Sequence, residues 1–268
     1  MTDRMEPYVL THALVTDGTD IFIRDGAIIV EEGLIREIGK SEDLVDKVSR
    51  IYDLGGRILL PGLLKPHHHL YSSFATGLSP MGRTDTFLGL LQNLWWHLDT
   101  LLDEESLYFS ALAGAMEAVR YGVTTIFDHH ASMNFVTGSL DLVAEALCKT
   151  GIKGVLCFET SDRMGDLQVH DHIRENISFW EKHRGSETIR GAFGLHANLT
   201  LSEDTLEEIS RIKPPEIPVH AHCGESSEDL DYCISLGYEG PVDRFHRWGL
   251  VDERSLLIHA IHLSSEDY

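Results

Sequence analysis

Histidine is the residue type that stands out. The chain has 16 of them, and several sit in close groups: His67, His68 and His69; His129 and His130; His220 and His222; His259 and His262. Neutral imidazoles are common ligands of divalent metals, so the question is where a fold would bring these groups. The first group ends the run Pro61-Gly62-Leu63-Leu64-Lys65-Pro66-His67-His68-His69. In extended backbone, residues two apart share a face, so His67 and His69 can address one ion while His68 points away. Alone, such a run favours a metal only weakly over a solvated polar turn. The second group is His220-Ala221-His222-Cys223-Gly224-Glu225. A histidine ligand with a carboxylate three residues on suits metal-assisted hydrolysis: the imidazole holds the ion and the carboxylate handles protons beside it. His220 and His222 share a face and could exchange roles; the spacing to Glu225 favours His222. The third group, His259-Ala260-Ile261-His262, follows Leu256-Leu257-Ile258. A lone histidine there is ordinarily a satisfied core residue. The set carries more weight than any member. Three segment ends in chain order bear H-x-H, H-x-x-E and H.

These segments read as strand ends. Short apolar strands are expected at 58–60, 124–127, 154–158, 192–195, 217–220 and 256–260. Between them lie helical stretches at 104–121, 140–149, 172–183, 203–212 and from 228 on. Asp103 is expected to cap the first of these and Gly122 to stop it; Thr200 and Glu203 are spaced as a capping box for the fourth. Strand–helix alternation at spacings of roughly 25–40 residues argues for a parallel sheet and a (β/α) TIM-type barrel. Active sites of such barrels sit at the C-terminal strand ends, where the histidines fall. About six of the eight strands a closed barrel needs can be found. Ser264 and Asp267 look like the opening of another helix, so the chain is expected to be an incomplete barrel, truncated at its C-terminus. An open sheet is the alternative. Before the barrel, segments 8–15, 21–23, 27–30 and 34–38 are apolar or β-branched, separated by Asp17-Gly18, Asp25-Gly26 and Glu32-Gly33. They predict a small antiparallel β subdomain over 1–57, followed by the barrel over 58–268.

Composition narrows the partners. Lys and Arg total 22 against 43 Asp and Glu, a formal net charge of −21 in 268 residues. Such an excess repels phosphate backbones and anionic membrane surfaces, so neither nucleic acid nor membrane is expected as a partner. No apolar run approaches the roughly 20 residues a membrane span needs. The four cysteines form no C-x-x-C pair, and Cys157 reads as a small core hydrophobe. A cytoplasmic protein with reduced thiols is the simplest expectation.

The motifs carry a resemblance. "PGLLKPHHHL" resembles the first-strand signature of the amidohydrolase superfamily, "VHAHCGES" the fifth-strand motif of its cytosine-deaminase-like members, and "LLIHAIHL" their sixth-strand segment. "GLHANLTLSED" resembles the fourth-strand segment. "LLQNLWWHLDTLLDEES", "DHHAS" and "CFETSDRMGD" look closer still to the SsnA-like aminohydrolases. The resemblance implies His67, His69 and His222 as metal ligands and Glu225 as proton shuttle. His259 becomes a ligand or a partner of the activated water, and His196 a substrate contact. It implies one divalent ion, zinc or iron(II), because Glu159 and His196 stand where binuclear relatives carry a carboxylated lysine. It implies hydrolytic deamination of an aminated nitrogen heterocycle, purine-like or pyrimidine-like. It also admits a homodimer. The family's eighth strand supplies an aspartate, and this chain stops before one. Cleavage of a cyclic amide or carbon–halogen bond is a second reading, and a catalytically incomplete metal-binding fragment a third. Weaker candidates complete the set. One of His129 and His130 should face the pocket. Trp95 and Trp96 are candidates to line it, or else to pack the barrel end. Arg163 is a candidate to hold a substrate carboxylate or carbonyl, or else a surface ion pair.

Overall fold

A computed structural model describes residues 6–267. Its contacts divide the chain into two compact units, one up to Gly62 and one from Leu63 on.

The first unit is a five-stranded sheet of β1 (Tyr8–Thr16), β2 (Phe22–Glu31), β3 (Leu34–Lys40), β4 (Arg50–Asp53) and β5 (Ile58–Leu59). β1, β2 and β3 pair antiparallel, but β4 and β5 lie parallel to β1. The sheet is therefore mixed, not wholly antiparallel as expected. The short helix Ser41–Leu44 carries the chain across one face, and such a crossover returns it in the parallel sense. Asp25-Gly26 does not form the expected turn. It lies inside β2, where two register shifts opposite β1 absorb the irregularity. Gly26 is needed there, since a Cβ would fall 2.7 Å from the Val15 side chain. Val9, Ala27, Ile29 and Leu44 form one apolar cluster, and Ala13, Val15 and Ile28 another.

Segment 58–60 does not begin the barrel array. Ile58–Leu59 pairs with β1, and Pro61, which lacks an N–H, separates it from the next strand. The second unit opens with β6 (Leu63–His68), followed by β7 (Val123–His130), β8 (Lys153–Phe158), β9 (Ile189–Gly191), β10 (Phe193–Leu195), β11 (Val219–Cys223) and β12 (Leu256–His259). All pair parallel, in the orders β6-β7-β8-β9 and β10-β11-β12. β9 and β10 act as one strand interrupted at Ala192. Ala192 N–H donates to Leu156 on the β8 side (2.9 Å), and Phe193 N–H to Pro218 on the β11 side (2.8 Å). Five of the six expected strands are therefore present in expected order, and β6 takes the place of the first. The array curls far enough to bring the rings of His67 on β6 and His259 on β12 within 5.7 Å.

Helices cross between the strands. Asp103 caps Glu104–Arg120 through a reciprocal pair with Ser106, and Leu107, Ala111, Ala115 and Ala118 bury its inner face. Gly122 (φ 77°) ends the connection. Ser139–Thr150 is stopped by left-handed Gly151 as expected. Asp166–His183 begins six residues earlier than the apolar pattern suggested. Glu203–Ile212 is capped by Ser202, not Thr200, whose hydroxyl is already engaged by His196 and Ala197. Ser227–Ser235 and Pro241–Arg247 follow; the latter was not expected and starts on its proline, which suits a first helical position. Ser264 and Asp267 flank only a short 3₁₀ turn. Among the described residues no helix is long and apolar enough to cross a membrane.

Between β8 and β10 the strands lack a full ladder, and a side chain fills the gap. Asn176, fully buried on Asp166–His183, accepts from the N–H groups of Phe158 (2.8 Å) and Gly194 (3.2 Å). Its amide donates back to the Phe158 carbonyl at 2.9 Å. Removing it strands three buried backbone groups, each costing about 1–3 kcal/mol. Asn176→Ala is expected to destabilise the protein by about 3–5 kcal/mol in urea unfolding. A loss under about 1 kcal/mol would show that the gap closes without the amide.

Candidate metal centre

β6 ends in the histidine run, and the pleat sends His67 and His69 to the same side. Register and turn fix them there. His68 pairs with Asp128 of β7, and the buried Asp128 carboxylate accepts the next N–H, from Leu70, at 2.6 Å. Ser110 on Glu104–Arg120 holds the following turn by donating to the Leu70 and Tyr71 carbonyls. His222, on the wholly buried β11, approaches from across the array. Its Nε2 lies 3.2 Å from His67 Nε2 and 3.3 Å from His69 Nε2.

Hydrogen bonds do not account for this convergence. His69 Nδ1–H donates to the His129 carbonyl (2.7 Å), and His222 Nδ1–H to the His196 carbonyl (2.9 Å). Each neutral ring then carries its proton on Nδ1 and turns an Nε2 lone pair inward. Lone pair faces lone pair unless a cation lies between them. Donors held about 2.0–2.1 Å from a tetrahedral zinc stand about 3.3–3.4 Å apart, which matches the spacing. The donor set therefore fits a divalent metal. Burial and the neighbouring imidazoles push His67 down to about 2 and His222 well below 6.5. Both rings are neutral at ordinary pH, as ligands must be.

The other histidines surround the three. His220 takes no place beside His222 Nε2; its Nε2 meets His67 Nδ1 at 2.9 Å, behind the donor atom. His129 is buried behind the centre, its Nε2–H donating to the Leu195 carbonyl at 3.1 Å while its own carbonyl orients His69. His130 turns away to Ser132 (2.8 Å) and packs on Phe158 and Tyr71. Neither His129 nor His130 lines the cavity. His196 does, and its Nδ1 is 2.7 Å from the Thr200 hydroxyl. That hydroxyl donates onward to the Ala197 carbonyl, so it accepts from Nδ1–H and leaves His196 Nε2 as an acceptor.

The cavity holds about 220 Å³ and is lined by the three converging histidines with Glu225, His259 and His196. Glu225 Oε2 lies 3.4 Å from His259 Nε2. His259 stacks over His222 at 5.5 Å. His259 and Ala260 have φ of 73° and 51°, a left-handed stretch that non-glycine residues rarely adopt and that costs about 1–3 kcal/mol per residue. Trp95 and Trp96 form the apolar wall with Leu91. Asp99 and Glu159 complete it. Both carboxylates are engaged by Arg163, which is neither a surface ion pair nor free for a substrate anion. Tyr71 and Asp99 escaped the sequence reading; Asp99 follows Trp95 by one helical turn, a spacing that was the available signal.

Burial, with Asp229 and Glu159 nearby, raises the Glu225 carboxyl from 4.5 to about 7. The folded chain then holds that proton more tightly than the unfolded chain. Ionisation costs stability as pH climbs past 4.5, and the cost is complete above about 7. Metal-free Glu225→Gln protein is therefore expected to melt higher than metal-free wild type at about pH 8, with the gap closing by about pH 4. A gap that widens towards acid would contradict the burial. For the metal itself, His222→Ala should weaken zinc affinity by more than the roughly 10–100-fold that loss of a supporting partner costs. Exposed His262→Ala should leave it unchanged; equal losses in chelator competition would remove His222 from the ligand set.

A model of the amidohydrolase family matches residues 58–268. A 5'-deoxyadenosine deaminase of Methanobrevibacter smithii is 28% identical over 271 aligned residues, covering 100% of this chain and 59% of the relative. The chain thus spans about three fifths of that relative's length. Guanine deaminase from C. acetobutylicum, solved with bound guanine, superposes with a TM-score of 0.84 at 16% identity over 97% of this chain and 64% of that one. A mutant of atrazine chlorohydrolase TrzN from Arthrobacter aurescens TC1, complexed with zinc and atraton, gives 0.81 at 21% identity over 97% and 62%. These likenesses to solved structures show a shared fold. Strand order, the histidines at strand ends and the family match lead to one statement: the chain belongs to the amidohydrolase family.

Proposed function

We propose that this chain carries the metal centre of a hydrolytic aminohydrolase acting on an aminated nitrogen heterocycle, purine-like or pyrimidine-like. The observation that carries the proposal is the convergence of three imidazole Nε2 atoms beside the Glu225–His259 pair in one cavity. The name of the Methanobrevibacter smithii relative, a 5'-deoxyadenosine deaminase, supports the substrate class. His67, His69 and His222 would hold one divalent ion, zinc or iron(II); neutral imidazoles suit both. When bound, such an ion supplies Lewis acidity, lowering the pKa of water from roughly 15.7 to about 7.

Residues of this chain line the rest of the cavity. Trp95, Trp96 and Leu91 offer flat apolar surface that shelters an aromatic ring and excludes bulk water. His196 Nε2 presents an acceptor to a ring N–H. Glu225 is poised near neutrality, so it can give a proton to a ring nitrogen and take one from the attacking water within the same turnover. His259 lies against Glu225 and holds the attacking oxygen in line. The balance is a carbon–amino bond exchanged for a carbonyl, with water consumed and ammonia released.

The metal-loaded protein should release ammonia from at least one of 5'-deoxyadenosine, adenosine, guanine and cytosine. Glu225→Gln should keep its metal and lose about 10²–10⁴-fold in kcat, the usual worth of a proton-transfer group. Halide release from a chlorinated triazine without ammonia from any amine would move the assignment to carbon–halogen hydrolysis. Unchanged kcat in Glu225→Gln would remove Glu225 from the chemistry.

A further inference from the structure

We propose that Arg163 is a positioning residue: it fastens the Trp95–Asp99 stretch to the exit of β8 and so fixes the cavity wall opposite the histidines. This rests on reading that cavity as the substrate site. The Arg163 side chain is 8% exposed, and each of its three nitrogens has a protein partner. Nη1 donates to Asp99 Oδ2 at 2.9 Å, Nη2 to Glu159, and Nε to the Ser161 hydroxyl at 3.2 Å. The guanidinium carbon also lies 5.0 Å from the Trp96 ring centre. One cation therefore ties together Asp99 and Glu159, two buried carboxylates that line the cavity, and the indole that forms its wall.

The segment it holds has few buried side chains of its own. Residues 87–101 run as the short helix Phe87–Leu90, a wide π turn at Leu91–Trp95, and the helix Trp96–Leu101. Such turns recur at functional sites, and this one sets the two tryptophans side by side. Buried packing in the segment comes from Leu91, Leu98 and Asp99. Main-chain and amide ties hold both of its ends: Met81 N–H to the Asn93 carbonyl (2.8 Å) and the Asn93 amide to the Arg83 carbonyl (2.9 Å) at one, Met133 N–H to the Asp99 carbonyl (2.8 Å) and the Asn134 amide to the Thr100 carbonyl at the other. On the cavity side the guanidinium is the charged attachment, beside ring contacts of His69 with Trp95 and of His196 with Trp96. A lysine would replace it only in part: it keeps the charge but not the planar fork that reaches Asp99, Glu159 and Ser161 while lying on the indole. Without the cation, Asp99 and Glu159 lose the partner they share, and the wall is free to move outward.

The test compares Arg163→Met, Arg163→Lys and the double variant Arg163→Met, Glu159→Gln, which leaves one buried carboxylate there instead of two. Hydrogen–deuterium exchange is read by mass spectrometry, with KM and kcat on whichever heterocycle the metal-loaded wild type turns over. Exchange over residues 87–101 should rise about tenfold in Arg163→Met and in the double variant, while that of Glu203–Ile212 stays at wild-type level. KM should rise by about tenfold, more than kcat falls, zinc content should hold, and Arg163→Lys should restore part of the loss. Unchanged exchange over 87–101 overturns the proposal, as does exchange that rises everywhere or a double variant that fails to fold. If the wild type deaminates nothing, the functional reading fails, and the exchange result still decides the role of Arg163.

Discussion

Three nitrogen lone pairs aimed at one point are a repulsive arrangement, and the site depends on what relieves it. His67, His69 and His222 come from two strands on opposite sides of the array, 153 or more residues apart in sequence. His222 Nε2 stands 3.2 Å from His67 Nε2 and 3.3 Å from His69 Nε2, with protons committed elsewhere in at least two rings. A divalent cation turns this repulsion into coordination. The carbonyls of His129 and His196 choose the tautomers and aim the rings. Both carbonyls belong to residues that the parallel strand order places beside the centre, so backbone pairing decides the orientation of the donors.

The rest of the cavity follows from burial. Histidines taken from water lose their charged forms, and His196, His130 and His220 are each lowered to about 4. The same burial works in the opposite sense on Glu225. A site of neutral imidazoles beside the Glu225 carboxyl, itself near neutrality, is suited to holding a cation and passing protons. Glu159 escapes that upward drift because His196 and Arg163 face it, and it stays below its ordinary value despite being buried.

Much of this was legible along the chain. The parallel array was readable from strand–helix alternation, and the positions of the histidine pairs from the two-residue period of extended backbone. What local pattern misled was the edges. β7 runs on to His130, so His129 and His130 belong to a strand and not to the loop after it. Segment 58–60 pairs with the first sheet and not with the array, Asp25-Gly26 is a bulge and not a turn, and Ser202 outcompetes Thr200 as a cap. The Arg163–Asp99 pair spans 64 residues, and Asn176 reaches strands 18 residues to either side. Such contacts leave no periodic trace, because they are set by three-dimensional closure and not by neighbours in sequence.

X-ray absorption spectroscopy of the zinc-loaded protein reads the centre most directly. Three imidazole nitrogens at about 2.0–2.1 Å are expected, falling to two in His222→Ala. Zinc surrounded by oxygen donors alone, or an unaltered imidazole shell in that variant, would contradict it.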